Sequence, residues 1–506
     1  MRGLVFDHPR ETVRNGFHPA RLVLRAFPAH LFKVVPTTRE SARTVSIPNR
    51  TALRQVAIVT ETFILKVLLS IAPLLLFPSL AAAQQSASEA SMMGMTQGVS
   101  MDMSGMNMHP ETFIQEIVGH TSSGTSAEPD STPIPMLMTR RGPWTLMLHG
   151  NVFILDQQQT GPRGADKFFS VNWFMGMAQR GAGPGTFTLR AMLSLDPATI
   201  TGRRYPLLFQ QGETAFGKPI VDGQHPHDFF MELAALYDLR LGERGLLSFY
   251  VAPVGDPAMG PIAYPHRASA SEDPLAALGH HQEDSTHIAS DVLTVGATYG
   301  FLRLEASGFH GREPDEFRWN IDHGAIDSWS LRLTAQPGKN WSAQYSYGRL
   351  KSPEALYPME SQERMTASVM YNRPLNHGNW SSIVVWGHTR SLQDDSIYNS
   401  YLVESTLHFL RRNNVWTRIE NVDRSNELLL GEVTLPPNFH EEPIGRVKAY
   451  SFGYSREIPF FPHIASSLGA QITTYGVPAA LEPTYGAHPA GVSVYLRFRP
   501  TSENNR

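Results

Sequence analysis

The stretch "WSLRLTAQPGKNWSAQYSYG", residues 329–348, shows the pattern that decides the fold. Apolar or aromatic residues occupy every second position from Trp329, and polar residues occupy the positions between them from Ser330. After a turn over 336–340, which contains Pro and Gly, the same alternation resumes at Trp341. A period of two is that of a β-strand with one apolar face, so the stretch predicts an antiparallel hairpin.

The same alternation recurs from Arg141 almost to the C-terminus, in segments separated by Gly-, Pro-, Asn- and Asp-rich stretches. The connections alternate between tight turns and much longer loops. A soluble β-protein has no reason to sort its loops in this way, whereas outer-membrane barrels place short turns at one end and long loops at the other. We therefore predict an all-β fold, a transmembrane antiparallel β-barrel of about 16 strands (within about 14–18) with long extracellular loops. A soluble β-protein is the alternative.

A barrel in lipid turns its apolar side chains outward and its polar ones toward the lumen. The alternation therefore predicts which charged residues face the lumen, which a barrel of this size can keep wet. The residues predicted to face the lumen are Arg190, Arg303, Glu305, Arg332, Glu404, Arg418, Glu420 and Arg497.

Composition restricts the chemistry of any site. The 506 residues are 42% hydrophobic and 18% charged, with a formal net charge of −3, which argues against nucleic acid as a partner. There is no cysteine, so disulfides, thiolate nucleophiles and Cys-based zinc sites are excluded. Histidine, methionine and carboxylate side chains remain as metal ligands.

The apolar run "VLLSIAPLLLF", residues 67–77, follows basic residues and precedes "SLAAAQQ", which is typical of a cleaved secretory signal peptide. The run is too short, and too interrupted by Pro73, for a transmembrane helix. Residues 1–63 are Arg-rich, which fits either a start assigned too far upstream, our preference, or an organelle transit peptide. We divide the chain into a leader (1–63), a signal peptide (64–83), a disordered Met/His-rich periplasmic segment (84–140), the barrel (141–500) and a C-terminal tail (501–506).

The periplasmic segment is unusually rich in methionine. It holds Met92, Met93, Met95, Met101, Met103, Met106 and Met108, followed by His109. Thioether sulfur selects Cu(I) and imidazole also suits Cu(II), so the segment predicts capture of copper, its favoured cofactor or cargo. The alternative is an adaptable apolar linker that packs on the barrel or on a partner.

The motif "MDMSGMNMH", residues 101–109, resembles the Met-rich motifs of bacterial copper-resistance proteins, including the outer-membrane copper resistance protein B family. Members of that family pair such a segment with a barrel. The resemblance covers the Met-rich segment and the porin-like architecture, and it implies copper as the ion and periplasmic copper proteins as partners.

Three of the long loops are rich in histidine and carboxylates. We expect them to open on the same side, where these groups could bind Cu(II) or Zn. The candidate ligands are His225, His227, Asp228, His280, His281, His287, His310 and His323. Two alternatives are a structural role in which the loops narrow the pore, and a catalytic role.

Catalytic motifs are lacking: the sequence has no G-x-S-x-G, H-E-x-x-H or P-loop pattern. A barrel lipase would need a Ser/His pair, and nothing singles out His388 or His408 for it. We expect a protein that is not an enzyme.

The sequence thus predicts a barrel in the bacterial outer membrane that passes or handles small solutes, with copper the favoured ion. Two rivals are a general diffusion porin whose methionines are incidental, and a non-channel barrel that acts as an adhesin or assembly partner. Outer-membrane lipid is the expected partner, and a further copy of the chain is a candidate.

Overall fold

The computed structural model describes residues 110–501. The leader, the signal peptide and the seven methionines between Met92 and Met108, with His109, lie outside the described residues, as do residues 502–506. Within the described residues, the helices are α1 Phe113–Gly119, α2 Asp196–Thr199, α3 His280–Glu283, α4 Glu427–Leu430 and α5 Glu482–Tyr485, with 3₁₀ turns at Thr201–Arg203, Ala268–Ala270 and Ser285–His287. The strands are β1 Leu137–Arg141, β2 Trp144–Gln159, β3 Lys167–Ala182, β4 Gly185–Leu193, β5 Tyr205–Pro206, β6 Glu213–Ala215, β7 Lys218–Ile220, β8 Gly223–Gln224, β9 Phe230–Leu241, β10 Gly245–Gly255, β11 Ala289–Tyr299, β12 Leu302–His310, β13 Ser328–Gly338, β14 Trp341–Lys351, β15 Ser361–Leu375, β16 Gly378–Ser391, β17 Ile397–Phe409, β18 Asn413–Ser425, β19 Pro443–Glu457, β20 Ile464–Gly476 and β21 Ala490–Pro500.

The long strands form a closed antiparallel barrel. Each of β2, β3, β4 and β9–β21 pairs with its neighbours in chain order, and β21 pairs back with β2 from Val152↔Phe498 to Gln159↔Gly491. β1 extends the seam by pairing with the start of β2, from Leu137↔Leu148 to Arg141↔Trp144. The ring comprises 16 strands within residues 110–501, which confirms the predicted fold class.

Connections divide the barrel into two ends. The turn end carries the short connections 142–143, 183–184, 242–244, 300–301, 339–340, 376–377, 410–412 and 458–463, and the loop end carries the others, of which 194–229 and 256–288 are the longest. Two loop-end connections, 160–166 and 392–396, are shorter than the alternation of the sequence predicts, because the flanking strands extend further. In outer-membrane barrels short turns face the periplasm, so the loop end faces the outside.

The outer surface is apolar and the inner one is charged. Along β12, Leu304 is 58% exposed whereas Glu305 is 1% exposed, as the sequence alternation predicts. Aromatic side chains near the turn end, including Trp341 and Trp380, are also exposed, as in the aromatic girdle of a membrane barrel. A closed ribbon with an apolar exterior is stable only in lipid, and the protein is accordingly an outer-membrane barrel.

Helices do not contribute a membrane crossing: within residues 110–501, none is long and apolar enough to span a bilayer.

The first part of the described chain, residues 110–136, runs inside the barrel, and we call it the N-terminal insert. The Arg190 guanidinium donates to the carbonyls of His120 and Ser122 at 2.9 and 2.7 Å, and the ring of His120 lies 2.6 Å from Asp238. Farther along, the Asn372 amide donates to the carbonyl of Ser131 at 2.7 Å. The insert therefore contacts strands from β4 round to β15.

This order corrects the expectation that all of 84–140 is disordered. The Ser-, Gly- and Pro-rich composition of the insert offers little apolar surface of its own, which is why the sequence suggests disorder. Its hydrogen-bonding partners are buried side chains of the barrel wall, such as Arg190 and Arg332, that lie far away in the sequence. A pattern read locally cannot show them.

The loop between β10 and β11, residues 256–288, also turns into the barrel, and we call it the inward loop. Its Arg267 forms a two-pronged ion pair with Glu404 of β17, with both N–O distances 3.0 Å, and donates to Asp284 at 2.9 Å. Arg418 of β18 contacts the other side of Glu404 at 2.9 Å and reaches Asp273 of the loop at 3.0 Å. Two guanidinium groups and three carboxylates therefore fasten the loop to the wall.

We predict that Glu404→Ala strongly destabilises the barrel, because it leaves Arg267 and Arg418 buried without their shared carboxylate. Breaking a buried pair from one side costs about 3–5 kcal/mol. The free energy of unfolding in lipid bilayers, measured by denaturant titration, checks this. The control is Asp395→Ala, which removes an exposed ion pair to Arg390 and should leave the unfolding midpoint unchanged. Equal midpoints for the two variants would show that the ion pairs of Glu404 with Arg267 and Arg418 do not stabilise the barrel.

Candidate metal centre inside the barrel

Three ligand-type side chains from two loops converge in the loop-side half of the barrel. Glu213 and His225 belong to the loop 194–229, and His281 belongs to the inward loop. One ligand atom from each residue lies within 4.8 Å of the other two. Within residues 110–501, this is the one cluster of at least three histidine or carboxylate side chains close enough to share a metal ion. The sequence predicts both histidines as ligands but not Glu213.

Local backbone geometry places these side chains. Glu213 starts β6, which pairs with β7 across a two-residue turn at Phe216 and Gly217, both with positive φ (54° and 68°). Such turns match the twist of a hairpin. Gly212, at φ 104°, allows the ring of His281 to approach, since a Cβ there would lie only 3.0 Å from that ring. His281 itself is held on the single turn of α3.

The three side chains are nearly shielded from solvent, with exposures of 9% for Glu213, 10% for His225 and 7% for His281. Oε1 of Glu213 lies 2.7 Å from Nε2 of His225 and 3.9 Å from Nε2 of His281. Neither ring nitrogen of His281 has a hydrogen-bond partner, and Nε2 of His225 is not aligned for one. Buried polar atoms without partners are rare in folded proteins, so the ring nitrogens of His281 are available to a ligand, while Nε2 of His225 faces the Glu213 carboxylate.

Burial and charge set the protonation of this centre. Burial lowers the pKa of His225 well below its ordinary value, and the positive charge of Arg318 lowers it further. Burial likewise lowers the pKa of His281, aided by His280. Both imidazoles are therefore neutral at neutral pH, the form that binds a metal. Burial raises the pKa of Glu213, and the positive charge of Arg318, at 3.5 Å, partly offsets that rise.

Several other predicted ligands lie close by but already have partners in the protein. Nδ1 of His280 lies 2.5 Å from Asp284, and that of His227 lies 2.9 Å from Asp196. Nδ1 of His287 contacts the carbonyl of Asp284 at 2.8 Å. Burial alone would raise the pKa of Asp284, but His280 and Arg267 hold it below its ordinary value. These contacts favour a structural role for the three histidines.

The remaining loop candidates contact other partners. Asp228 pairs with Arg318 at 3.2 Å, and the same guanidinium lies 3.5 Å from Glu213, so Asp228 borders the centre through a shared arginine. His310 contacts the carbonyl of Ala325 at 2.9 Å, and His323, whose side chain is 58% exposed, contacts Asp291 at 2.9 Å. The structure therefore brings His225 and His281 together with Glu213, leaves Asp228 next to them across Arg318, and places His310 and His323 in separate contacts.

Glu213 could not have been identified from the sequence. The surrounding "QQGETAFGKP" contains a single carboxylate in no metal-binding spacing. Its role depends on how the loop 194–229 packs against the inward loop. A sequence signal for such a packing would require paired substitutions across the two loops.

The charged residues predicted to face the lumen all have side chains on the buried face of the barrel wall. They contact one another or the inserted segments rather than open water. The buried residues and their partners are Arg190 with Glu232, Arg303 with Glu305, Glu305 with Arg332, Glu404 with Arg267 and Arg418, Glu420 with the backbone amides of Leu278 and Gly279, and Arg497 with Glu272.

The turn end opens into a cavity of about 1190 Å³, which we call the vestibule. It is bounded by the N-terminal insert and by the turns at 376–377 and 410–412. Its lining includes Met138, His149, Trp173 and His266. The vestibule therefore presents thioether and imidazole side chains toward the periplasmic side.

Comparisons with known proteins give only distant likenesses. No protein-family model and no curated protein matches the sequence. Similar solved structures include an anion-selective porin from Comamonas acidovorans (10% identity, TM-score 0.43, covering 70% of this chain and 99% of that one). OmpF of Salmonella typhi in complex with daunomycin (11%, 0.41, 72% and 100%) and the loop L8 deletion mutant of OmpT of Vibrio cholerae (8%, 0.40, 71% and 99%) are also similar. At these identities and TM-scores the likeness carries no argument about solutes, and the barrel is established by the strand pairing of this chain.

Proposed function

We propose that this outer-membrane barrel handles small solutes, metal ions in particular, and that copper is its ion. The observation that carries the proposal is the convergence of Glu213, His225 and His281 inside the barrel, where both ring nitrogens of His281 lack hydrogen-bond partners. Imidazole and carboxylate together suit Cu(II) and Zn. A metal held there would sit within the lumen rather than on the outer surface.

Filling of the lumen limits what can pass. The N-terminal insert contacts β9 through Asp238, β13 through Arg332 and β15 through Asn372. The inward loop contacts β17 through Glu404 and β21 through Arg497. Together these segments cross the interior from nearly every side. We infer a path suited to ions and other small solutes rather than to the bulky solutes of a wide porin.

The Met-rich segment supports copper over other metals. α1 packs near the turn end, since Val118 accepts a hydrogen bond from Gln179 at 2.7 Å and the helix clusters with Leu246. Residue 110, where the described chain begins, therefore lies toward the periplasmic end. In our proposal the thioethers of Met101, Met103, Met106 and Met108 take up Cu(I) there and raise its concentration at the inner mouth.

A general diffusion porin remains the second candidate, favoured by the volume of the vestibule. In that case the methionines would be incidental and the insert would have to leave the lumen. Assembly as an oligomer is compatible with either function. Transport experiments separate the two.

Metal binding at the centre should depend on its three ligands. We predict that Glu213→Gln and His281→Ala each weaken Cu(II) binding to the full chain on the order of 10-fold or more, because each removes a ligand. Competition with a chromogenic chelator measures this in detergent. The matched control is His323→Ala, which alters an exposed histidine held by Asp291. Equal affinity in all variants would place the metal elsewhere.

The same centre should bind metal at mildly acidic pH. Because folding lowers the pKa of His225 and His281, protons compete for these imidazoles only below the ordinary histidine range. The two imidazoles should therefore stay available as the pH falls through about 6.5, the ordinary pKa of histidine, and loss of affinity there should come from Glu213, whose pKa burial raises. In the Glu213→Gln variant, a midpoint for metal release at or above that pH would contradict the centre as described.

Conductance should report whether the lumen is filled. We predict that the full chain shows low conductance in planar bilayers. The double variant Arg190→Met and Glu232→Gln should conduct more, because it removes the charge pair that holds the insert. Arg390→Met, which alters an exposed arginine near the loop end, is the control. Ready passage of oligosaccharides into liposomes by the unmodified chain would refute a filled lumen and favour the porin.

The Met-rich segment can be tested alone as a ligand. A synthetic peptide covering residues 91–110 should bind Cu(I) at micromolar concentration under anaerobic conditions, because its thioethers select the soft ion. The control peptide replaces each methionine with serine. Failure of the parent peptide to compete with a Cu(I) chelator would remove copper capture from the proposal and leave the centre inside the barrel unaffected.

A further inference from the structure

A row of methionines lines the inside of the wall formed by β1, β2, β3 and β4. Strand register places Met138 beside Met147, Met147 beside Met177, and Met175 beside Met192. The spacing Met175-x-Met177 puts two of them on the same face of β3. We call these five residues the methionine row.

The row is buried and belongs to an apolar cluster that also contains Val254 and Ile288. Met147, Met175, Met177 and Met192 are all buried, and they cluster with Met136 and Met231. Methionine loses more side-chain freedom on burial than leucine does, so leucine would fill this space at lower entropic cost. Several thioethers in one patch therefore suggest a role for the sulfur atoms as well as for packing.

A histidine contacts the row through its ring nitrogen. His149 is the direct cross-strand neighbour of Met175, and its Nε2 lies 3.0 Å from Sδ of Met175. His149 is itself buried. The register thus brings together a thioether and an imidazole, the two side-chain ligands that a Cu(I) site without cysteine can use.

A second imidazole stands nearby with no partner. The ring of His266, from the inward loop, packs at 4.1 Å against Trp173, whose other neighbour at 5.2 Å is His149. Both ring nitrogens of His266 are buried and lack hydrogen-bond partners. This is an independent sign of an unfilled ligand position.

The site can be reached from the turn end. His149, Trp173 and His266 line the vestibule, and so do Met136 and Met138. An ion that enters the vestibule from the periplasmic side meets these donors without crossing the filled part of the lumen. Glu213, His225 and His281 are absent from this lining, so the two sites are distinct.

We propose that His149 and Met175, flanked by His266 and by the rest of the methionine row, form a binding site for a soft monovalent ion, Cu(I) or Ag(I). Thioether sulfur favours such ions over the harder divalent ones. The site deepens the proposed function, and rests on it only for copper as the physiological ion. It requires neither the Met-rich segment nor the centre at Glu213.

The test uses the full chain with the seven methionines from Met92 to Met108 replaced by serine, so that binding by that segment does not contribute. Anaerobic competition between this protein and a Cu(I) chelator should show one tightly bound ion per chain. Calorimetric titration with Ag(I) should give the same stoichiometry. Adding His149→Gln and Met175→Leu should lower the affinity at least 10-fold. Met370→Leu, a buried methionine in an aliphatic cluster of β15, should leave it unchanged.

X-ray absorption on the Cu(I)-loaded protein should show sulfur and nitrogen ligands together, a signature that a packing role would not give. The thermal unfolding of each variant in detergent checks that the barrel remains folded. Absence of Cu(I) binding, or binding that survives in the His149→Gln, Met175→Leu variant, would overturn the proposal and leave the row as packing. Glu213→Gln in the same background should not alter Cu(I) binding, so failure of this site and failure of the divalent centre are distinguishable.

Discussion

Closure of the sheet is the constraint on which the rest of the structure depends. Lipid offers no hydrogen-bond partners, so every backbone amide and carbonyl of a spanning strand must be satisfied by another strand. β2 and β21 are the first and last strands of the ring in chain order, and their pairing removes the last free edges of the sheet. Once the ring is closed, each alternate side chain is assigned to lipid or to the interior, and both the apolar belt and the charged lumen follow.

The charged interior in turn explains why segments of the chain fill it. An unpaired buried charge is costly, and pairs across the wall alone leave guanidinium groups with unused donors. Arg332 shows how the remaining donors are satisfied. Its Nε donates to Glu305 on the neighbouring strand, and its other two nitrogens donate to the hydroxyls of Thr125 and Ser126 in the insert. The wall and the inserted segments therefore stabilise each other. The insert, whose own composition indicates disorder, becomes ordered through partners that only the closed barrel supplies.

Dependence on partners that are distant in the chain also separates what the sequence could predict from what it could not. Strands and the sorting of their connections follow from local alternation, so hairpins such as β13–β14 were predictable residue by residue. Order in residues 110–136 was not, because the partners of the insert come from strands distant in the chain. His225 and His281 are visible as unusual residues in polar loops, whereas Glu213 gains meaning only when two loops meet. The methionine row is intermediate, since Met175-x-Met177 shows a shared face but only the register adds Met147 and His149.

The two proposed sites differ in ligand softness along the axis of the barrel, and this difference has a chemical consequence. The vestibule side offers thioether and imidazole, which suit Cu(I), and the loop side offers imidazole and carboxylate, which suit Cu(II). Burial keeps the imidazoles of His225 and His281 neutral, so the loop-side site does not depend on a high pH to release protons. The insert and the inward loop lie between solvent on the two sides and restrict exchange through the lumen. In our proposal the two oxidation states of one metal occupy separate compartments of a single chain, because thioether ligands favour the softer ion and carboxylate ligands the harder one.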